Sequence, residues 1–289
     1  MPMAETATAL PNLDQVVRRI QSISSLPHVA LKVMEVANDP DAGAADLKEA
    51  MESDAALSAR VLQCVNSSAY AVRQRVTNLQ HAIAYLGLKQ VRNLAVTAAV
   101  SELFKQKEAM GTYSREALWR HLVSVGLCSR LIALRLSFQN FEDIFLAGLL
   151  HDVGIILEDQ HVHGPFAAAM GSLQEGKPLI ETEREHLGFD HTVLGKTIAE
   201  KWGFPQSVIA AIRYHHASTS YRGDQIDAVR CVEMANLIAT LKDISSVGKK
   251  LVTFSRPALE GLSLGRDDVQ VLSEGLDQEI SNHASLFSI

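Results

Sequence analysis

The sequence predicts an all-α protein built as a helical bundle. Apolar residues recur at the spacing of one helical face along most of the 289 residues. No alternating strand pattern of useful length interrupts them. Glycine, proline and capping residues fall where one helix would end and the next begin. A chain of this length can bury a substantial core without disulfides or a structural metal.

The first hundred residues are predicted to form a compact group of helices. Helical periods run over residues 13–23, 28–37, 44–51, 54–65, 77–86 and 88–104. Pro27 prevents the first helix from running on. Asp54 and Thr77 can cap the fourth and fifth helices, and Gly87 can stop the fifth. This part of the chain therefore has its own start and stop signals.

An internal boundary is predicted at residues 105–114, which carry Gly111 and no apolar period. Helical periods return over residues 117–136, 166–173, 179–187, 191–202, 205–215, 226–241 and 266–286, and the apolar segment 142–158 follows the first of these. The prediction is an N-terminal helical subdomain (13–104), a second helical subdomain (112–241) and a C-terminal helical extension (242–289).

Composition argues against two classes of partner. The 27 Lys plus Arg are outnumbered by 33 Asp plus Glu, which gives a formal charge of −6 and no basic footprint for nucleic acid. No stretch reaches the roughly 18 apolar residues of a membrane span, and Met1–Leu10 lacks a signal-peptide pattern. Cys64, Cys128 and Cys231 stand singly, as buried thiols do in a reducing cytosol. We therefore expect a cytoplasmic protein that binds neither nucleic acid nor membrane.

The chemically informative stretch is the apolar run from Phe145 to Gly154, which contains His151 beside Asp152. Burying such groups without partners costs several kcal/mol each. Imidazole nitrogen and carboxylate oxygen together suit Zn, Fe or Mn better than Ca or Mg. The alternative is that the two side chains hydrogen-bond each other or the backbone. Partners elsewhere in the chain decide between these interpretations.

Four of the eleven histidines are candidate partners for this pair. His121 lies in the preceding helix, His191 opens a later helix, and His215 and His216 end another. Taken singly, each is more typical of a surface or satisfied core histidine. Several near helix ends, flanking one His-Asp pair, indicate a shared polar centre.

The order of these residues resembles the HD superfamily of metal-dependent phosphohydrolases, and the whole chain is more similar to its HDOD branch. The likeness covers roughly residues 20–240 and rests on many ordered segments. These segments are Leu26-Pro27, Asp39-Pro40-Asp41, Asp54–Arg60, Val65–Tyr70, Ala82-Ile83, Leu86-Gly87, Val91–Leu94, Ala147–Gly154, Asp190-His191 and Lys201–Pro205.

The resemblance implies an all-α HDOD-type bundle, with an N-terminal subdomain packed on an HD-like subdomain that carries a metal centre. The chain departs from the superfamily at informative positions. Asn236 stands where the closing aspartate ligand is expected, and a neutral amide oxygen binds a divalent ion more weakly. Ile155 stands where HD-GYP relatives place a lysine, and no Gly-Tyr-Pro follows His216. Cyclic di-GMP hydrolysis is therefore disfavoured.

The resemblance leaves three functions open. The first is a bacterial regulatory module with a degenerate metal site that acts mainly through protein or ligand binding, with a signalling protein as partner and residues 13–104 as the contact surface. The second is a metal-dependent phosphohydrolase acting on a nucleotide or other phosphate ester, with Lys196 or Arg213 contacting phosphate. The third is a sensor that binds metal without turnover. The implied cofactor is Fe, Mn or Zn, or none. The implied ligands are His121, His151, Asp152, His191, His215, His216 and Asn236.

Overall fold

A computed structural model of the protein describes residues 10–23, 28–39 and 41–288, and within them the fold is all-α as predicted. The helices are α1 (Leu13–Ile23), α2 (His28–Asn38), α3 (Ala44–Glu52), α4 (Ala55–Val65), α5 (Leu79–Leu86), α6 (Leu88–Val100), α7 (Arg115–Arg135), α8 (Phe141–Leu150), α9 (Val153–His161), α10 (His163–Gly171), α11 (Leu179–Leu187), α12 (His191–Lys201), α13 (Gln206–Tyr214), α14 (Ile226–Leu241), α15 (Arg256–Gly261) and α16 (Arg266–Asn282).

Short irregular elements join some of these helices. Single 3₁₀ turns occupy Ser68–Tyr70, Ser101–Phe104, Ser218–Ser220 and Ala284–Phe287. Strands β1 (Ala109–Met110) and β2 (Tyr113–Ser114) pair in an antiparallel hairpin, with Met110 opposite Tyr113. This hairpin lies inside the segment that the sequence marks as an internal boundary.

Most of the predicted start and stop signals act as expected. The Asp54 side chain accepts a hydrogen bond from the Leu57 backbone at 2.9 Å, and Gly87 ends α5 at a φ of +85°. The cap of α5 differs from the prediction, since Asn78 rather than Thr77 accepts from the backbone of His81. Pro27 and Pro40 lie outside the described residues.

Two helix limits and one additional short helix differ from the sequence pattern. The helix predicted over residues 88–104 changes to a 3₁₀ turn after Val100, and the C-terminal helix ends at Asn282 rather than near residue 286. The short helix α15 is not predicted from the sequence. Its six residues are too few to display an apolar period.

Buried polar contacts join the N-terminal helices to the second half through α6 and α8. The Asn93 side chain donates to both the backbone oxygen and a carboxylate oxygen of Glu142, each at 2.8 Å. Arg92, which is also buried, donates to Asp143 at 2.9 Å. Charge-assisted hydrogen bonds in a dry interface fix the relative position of the two helices.

The central helix pair is α7 and α8, which approach closely at two glycines. A Cβ atom at Gly148 would lie 2.6 Å from Ser129 Oγ and 2.8 Å from the Val125 carbonyl oxygen. At Gly126 it would lie 3.2 Å from the backbone of Leu149. Small residues are thus required for the two backbones to pack at this distance.

A second close approach joins α9 to the start of α12. A Cβ atom at Gly154 would lie 2.0 Å from the His191 carbonyl oxygen. Gly195 faces Gly154 across the same contact, since a Cβ there would lie 3.3 Å from the Gly154 nitrogen. The segment that follows Asp152 is therefore held against the residue that opens α12.

The C-terminal segment packs back on the first part of the chain. Helix α16 lies against α7, and the indole nitrogen of Trp119 donates to the carbonyl oxygen of Leu286 at 3.1 Å. Ser68 donates to the carbonyl oxygen of Asn282 at 3.3 Å, and the rings of Tyr70 and His283 meet edge to face. The segment thus contacts both predicted subdomains.

The predicted subdomain limits stay a prediction. A single apolar core runs through both halves of the described chain. Helix α1 packs against α9 and α12 of the second half. All three cysteines are free and buried, as predicted. By length and composition α7 could cross a membrane, but 72% of its apolar window is buried inside the protein, as in the core helix of a bundle.

We expect Gly154→Ala to destabilise the protein by about 1–3 kcal/mol, because the added methyl group overlaps the His191 backbone. Gly164→Ala in α10 is the matched control, since a Cβ there meets no atom within 4 Å. Removing this helical glycine is expected to stabilise the fold by about 0.5–1 kcal/mol. Urea denaturation measures both. Equal midpoints for the two variants would contradict the close packing of α9 on α12.

Candidate metal centre

Five buried or partly buried histidines and one aspartate meet where α7, α8, α9, α12 and α13 converge. His121 lies within α7 and His191 is the first residue of α12. His151 and Asp152 occupy the two-residue junction between α8 and α9, so the predicted apolar segment 142–158 is broken at the pair. His215 and His216 directly follow α13. The structure brings these six side chains close together.

Asp152 is the middle of this cluster, and each of its carboxylate oxygens faces two imidazoles. Oδ1 lies 3.2 Å from His191 Nε2 and 3.1 Å from His215 Nε2. Oδ2 lies 3.2 Å from His151 Nε2 and 3.6 Å from His121 Nε2. The Nε2 atoms of His121 and His151 are 3.3 Å apart. Nitrogen atoms from distant parts of the chain therefore surround a single carboxylate.

The sixth member of the cluster, His216, lies at its outer edge. Its Nε2 atom is 3.1 Å from His191 Nε2, and the side chain is partly buried. The six residues form two overlapping groups that share Asp152. One group is His121, His151 and Asp152, and the other is Asp152, His191, His215 and His216.

The other ring nitrogen of the central histidines is held by protein oxygen. His121 Nδ1 lies 2.8 Å from the Ile244 carbonyl oxygen, and His151 Nδ1 lies 2.7 Å from that of Gly148. His215 Nδ1 lies 3.1 Å from two carbonyl oxygens of α13. A carbonyl oxygen only accepts, so each Nδ1 carries the proton. The Nε2 atoms consequently present lone pairs to the centre.

His191 is held by a carboxylate instead of a carbonyl. Glu183 of α11 accepts from His191 Nδ1 at 2.7 Å and from the His191 backbone at 3.1 Å. Asp190 caps α12 by accepting from the backbones of Thr192 and Val193, which fixes His191 as the first helical residue. The ring is thus fixed in both position and orientation.

Burial and neighbouring charges set the protonation of the cluster. Burial lowers the pKa of His121 and of His215 to about 4. Burial and the adjacent His215 hold the pKa of His216 well below its usual range. Burial opposes a charge on His191 too, but Glu183 and Asp152 outweigh it and raise its pKa well above the ordinary value. Burial therefore disfavours a charge on His121, His215 and His216, whereas the two carboxylates beside His191 favour one there.

The carboxylate at the centre stays ionised. Burial by itself would raise the pKa of Asp152, but the adjacent imidazole rings of His151 and His191 more than offset it and hold the pKa well below its usual range. Neither Asp152 Oδ1 nor His215 Nε2 makes a hydrogen bond of good geometry, although both are buried. Lone pairs that face each other without an intervening proton call for a cation.

The donor set fits a divalent transition metal. Imidazole nitrogens with a carboxylate oxygen suit Zn, Fe or Mn, and protein oxygens already orient the rings from behind. The cluster could therefore hold a metal ion at either of the two overlapping groups.

Two buried carboxyls behind His191 were not predicted from the sequence. Glu158 of α9 lies beside Glu183, and burial together with the charge of Glu183 raises its pKa well above the ordinary value. Burial and the neighbouring carboxylate thus both favour the protonated form of Glu158. The signal for Glu183 was its spacing of four residues from Leu179 and from Leu187, which places a carboxylate on an apolar helix face.

Three other predicted site residues lie apart from these contacts. Lys196 pairs with Glu200 on the surface of α12 at 3.0 Å. Arg213 donates to Thr192 Oγ1 at 3.0 Å. Asn236 is buried in α14, where its side-chain oxygen accepts from Thr240. Within the described ranges, no hydrogen bond or ion pair joins any of the three to the cluster, and their roles stay predictions.

Comparison with known proteins places this geometry in context. The HDOD domain family matches residues 23–218 of the chain. An uncharacterised protein of Treponema pallidum (strain Nichols) is 22% identical over 247 residues, which are 82% of this chain. The chain spans 47% of the length of that relative.

Solved structures share the fold. An HDOD domain protein of unknown function from Geobacter sulfurreducens is 25% identical, with a TM-score of 0.76 over 95% of this chain and 98% of that one. A candidate signal transduction protein from Marinobacter aquaeolei VT8 is 23% identical, with a TM-score of 0.73 over 95% and 63% of the two chains. A candidate phosphohydrolase from Shewanella amazonensis SB2B is 20% identical, with a TM-score of 0.69 over 94% and 96%.

We expect Glu183→Gln to weaken binding of a divalent metal by about 10–100-fold, because a neutral amide supports His191 less well than a carboxylate does. Glu185→Gln is the control, since Glu185 lies on the same helix, is exposed and pairs only with Lys177 among the described residues. Competition with a chromophoric chelator measures the affinity, and circular dichroism verifies the fold. Equal affinities for the two variants would show that Glu183 does not support the site.

Proposed function

Because the chain belongs to the HDOD domain family, we propose that it is a signal-transduction module that holds a divalent transition metal at the His-Asp cluster. In this proposal it acts through metal-dependent binding of a ligand or partner rather than through turnover. The observation that carries the proposal is the gathering of four imidazole Nε2 atoms around the carboxylate of Asp152, with His216 at the outer edge.

His121, His151 and Asp152 would hold the ion on one side, and His191, His215 and His216 would do so on the other. When bound, such an ion would supply positive charge that polarises a phosphoryl oxygen or another anionic group. Glu183 keeps His191 oriented, and the carbonyl oxygens of Gly148 and Ile244 keep His151 and His121 oriented. Fe, Mn and Zn are the candidates that these donors favour.

Two departures from the superfamily support binding over hydrolysis. Asp152 is the single carboxylate of the cluster in the described chain, and Asn236 adds no charge where a second aspartate is expected. Ile155 is fully buried in the core, so it cannot replace the phosphate-contacting lysine of HD-GYP relatives. A site with fewer negative ligands holds its ion more weakly.

The second candidate function is a metal-dependent phosphohydrolase acting on a nucleotide or another phosphate ester. One specific observation favours it. The two ligand groups share Asp152, and two ions on a shared carboxylate could clamp both oxygens of a phosphoryl transfer. The fold is also that of candidate phosphohydrolases from Shewanella amazonensis.

A signalling protein is the proposed partner, and the N-terminal helices are the proposed contact surface. Tyr85 at the end of α5 is 56% exposed, and the neighbouring Leu88 at the start of α6 is also exposed. Aromatic and apolar side chains are common at the centres of protein interfaces. A cytoplasmic location belongs to the same proposal.

We expect protein purified without chelator to contain a stoichiometric transition metal, and Asp152→Asn to lose it, because the amide removes the only negative charge of the cluster in the described chain. Asp224→Asn, in an exposed loop, removes the same charge and serves as the control. Elemental analysis measures the metal. Release of phosphate from monoester and diester substrates, with added Mn²⁺, separates the two functions. Metal without release favours the binding module, whereas rapid release establishes the phosphohydrolase.

We expect Asn236→Asp to tighten metal binding by about tenfold if this position completes the ligand set, because it adds a charged oxygen. Asn282→Asp at the end of α16 adds the same charge away from the cluster and is the control. Chelator competition gives both affinities. An unchanged affinity in Asn236→Asp would remove this residue from the proposed ligand set.

A further inference from the structure

A cavity of about 100 Å³ adjoins the outer edge of the metal centre. His215 and His216 form one side of it, and the segment 245–253 with the first residues of α11 forms the others. Much of this wall follows residue 218, where the family match ends. The cavity therefore gives this chain a feature of its own beside the shared histidine cluster.

A carboxyl group with one unpartnered oxygen lies in the wall of the cavity. Glu233 of α14 is only 7% exposed, and its Oε2 atom has no hydrogen-bond partner. Burial raises the pKa of Glu233, and hydrogen bonds that involve Ser218 and Ser255 offset this only in part. A buried oxygen without a donor is costly, and a ligand hydroxyl would satisfy it.

The remaining wall is rich in hydroxyls and poor in positive charge. Thr240, Ser245, Ser246 and Thr253 line the cavity among apolar side chains of α11 and the 245–253 segment. Lys249 is the only lysine or arginine among the described residues that line it, and its ammonium group already donates to the Leu173 carbonyl oxygen at 2.8 Å.

These walls exclude one class of ligand and fit another. A di- or triphosphate chain needs several arginine or lysine contacts, and a buried carboxyl would repel it. A neutral group with several hydroxyls matches the wall, since carboxylates commonly accept from sugar hydroxyls. An anionic group instead belongs at the histidine edge, where His215 and His216 line the cavity and the ion would supply positive charge.

We propose that the cavity binds the sugar-like, hydroxyl-bearing part of a phosphate monoester, with Glu233 accepting from its hydroxyls and the phosphate at the edge formed by His215 and His216. This inference rests on the proposed function, because the ion held by the cluster is what attracts the phosphate. It makes Glu233 the residue that determines specificity among monoesters. Ser246, which is partly exposed, contributes a second hydrogen bond.

The test compares ribose 5-phosphate with methyl phosphate, a monoester without hydroxyls, by calorimetry on the full chain loaded with Zn²⁺. We expect ribose 5-phosphate to bind about tenfold more tightly or better, because the hydroxyls satisfy buried polar atoms. Glu233→Gln should reduce this preference about tenfold. Ser246→Ala, which carries less risk to folding, should reduce it about threefold. Glu260→Gln, in exposed α15, is the control and should retain it.

Equal affinity of the unaltered protein for the two esters would overturn the inference. A preference that survives both Glu233→Gln and Ser246→Ala would overturn it as well, since the cavity would then not be its source. Zinc content is measured on every sample. Zinc without a preference contradicts only the cavity proposal, whereas a chain that retains no zinc contradicts the proposed function, and this inference falls with it.

Discussion

The site depends on one constraint, which is that protein oxygens occupy the Nδ1 side of the central imidazoles. Three of these rings donate to backbone carbonyls and a fourth to Glu183. Each of these rings therefore keeps a proton on Nδ1, and its Nε2 atom faces Asp152. The raised pKa of His191 follows from its contacts with Glu183 and Asp152, whereas the lowered pKa of His121 follows from burial. The centre is polar and buried, and a transition metal would supply positive charge to its inward-facing donor atoms.

Glycines place the rings at this distance from one another. Gly148 lies three residues before His151 and lets α8 approach the helix that carries His121. Gly154 lies two residues after Asp152 and admits the backbone of His191. The stretch from Gly148 to Gly154 therefore contains two residues of the cluster. It also makes the two close helix contacts that place His121 and His191 beside them. Helix packing therefore determines the geometry of the cluster, because a methyl group at either glycine would move residues of the cluster on two helices at once.

Much of the fold and the ligand set was predictable from the sequence, because helical period, Asp54 and Gly87 act locally. The approach of His121, His151, Asp152, His191, His215 and His216 was expected because several histidines flank one His-Asp pair in the sequence. The choice of Asn78 over Thr77 was not predictable, since both are good caps and the chain path decides between them. Glu158 and Glu183 meet only in the folded chain, so no spacing marks them as a pair. The cavity beside His216 has walls from distant segments, and only the fold assembles them.

The residues of the cluster come from chain positions as far apart as 121 and 216, and an ion among them would join α7, the α8–α9 junction, α12 and the end of α13. Whatever binds the folded chain and not the unfolded chain adds to its stability in proportion to the logarithm of its concentration. The rigidity of the bundle is then coupled to the supply of free metal in its surroundings. Segments packed around the centre, including residues 245–253 in the cavity wall, would become less ordered as that supply falls. A change in metal availability would then change the local order of the protein surface.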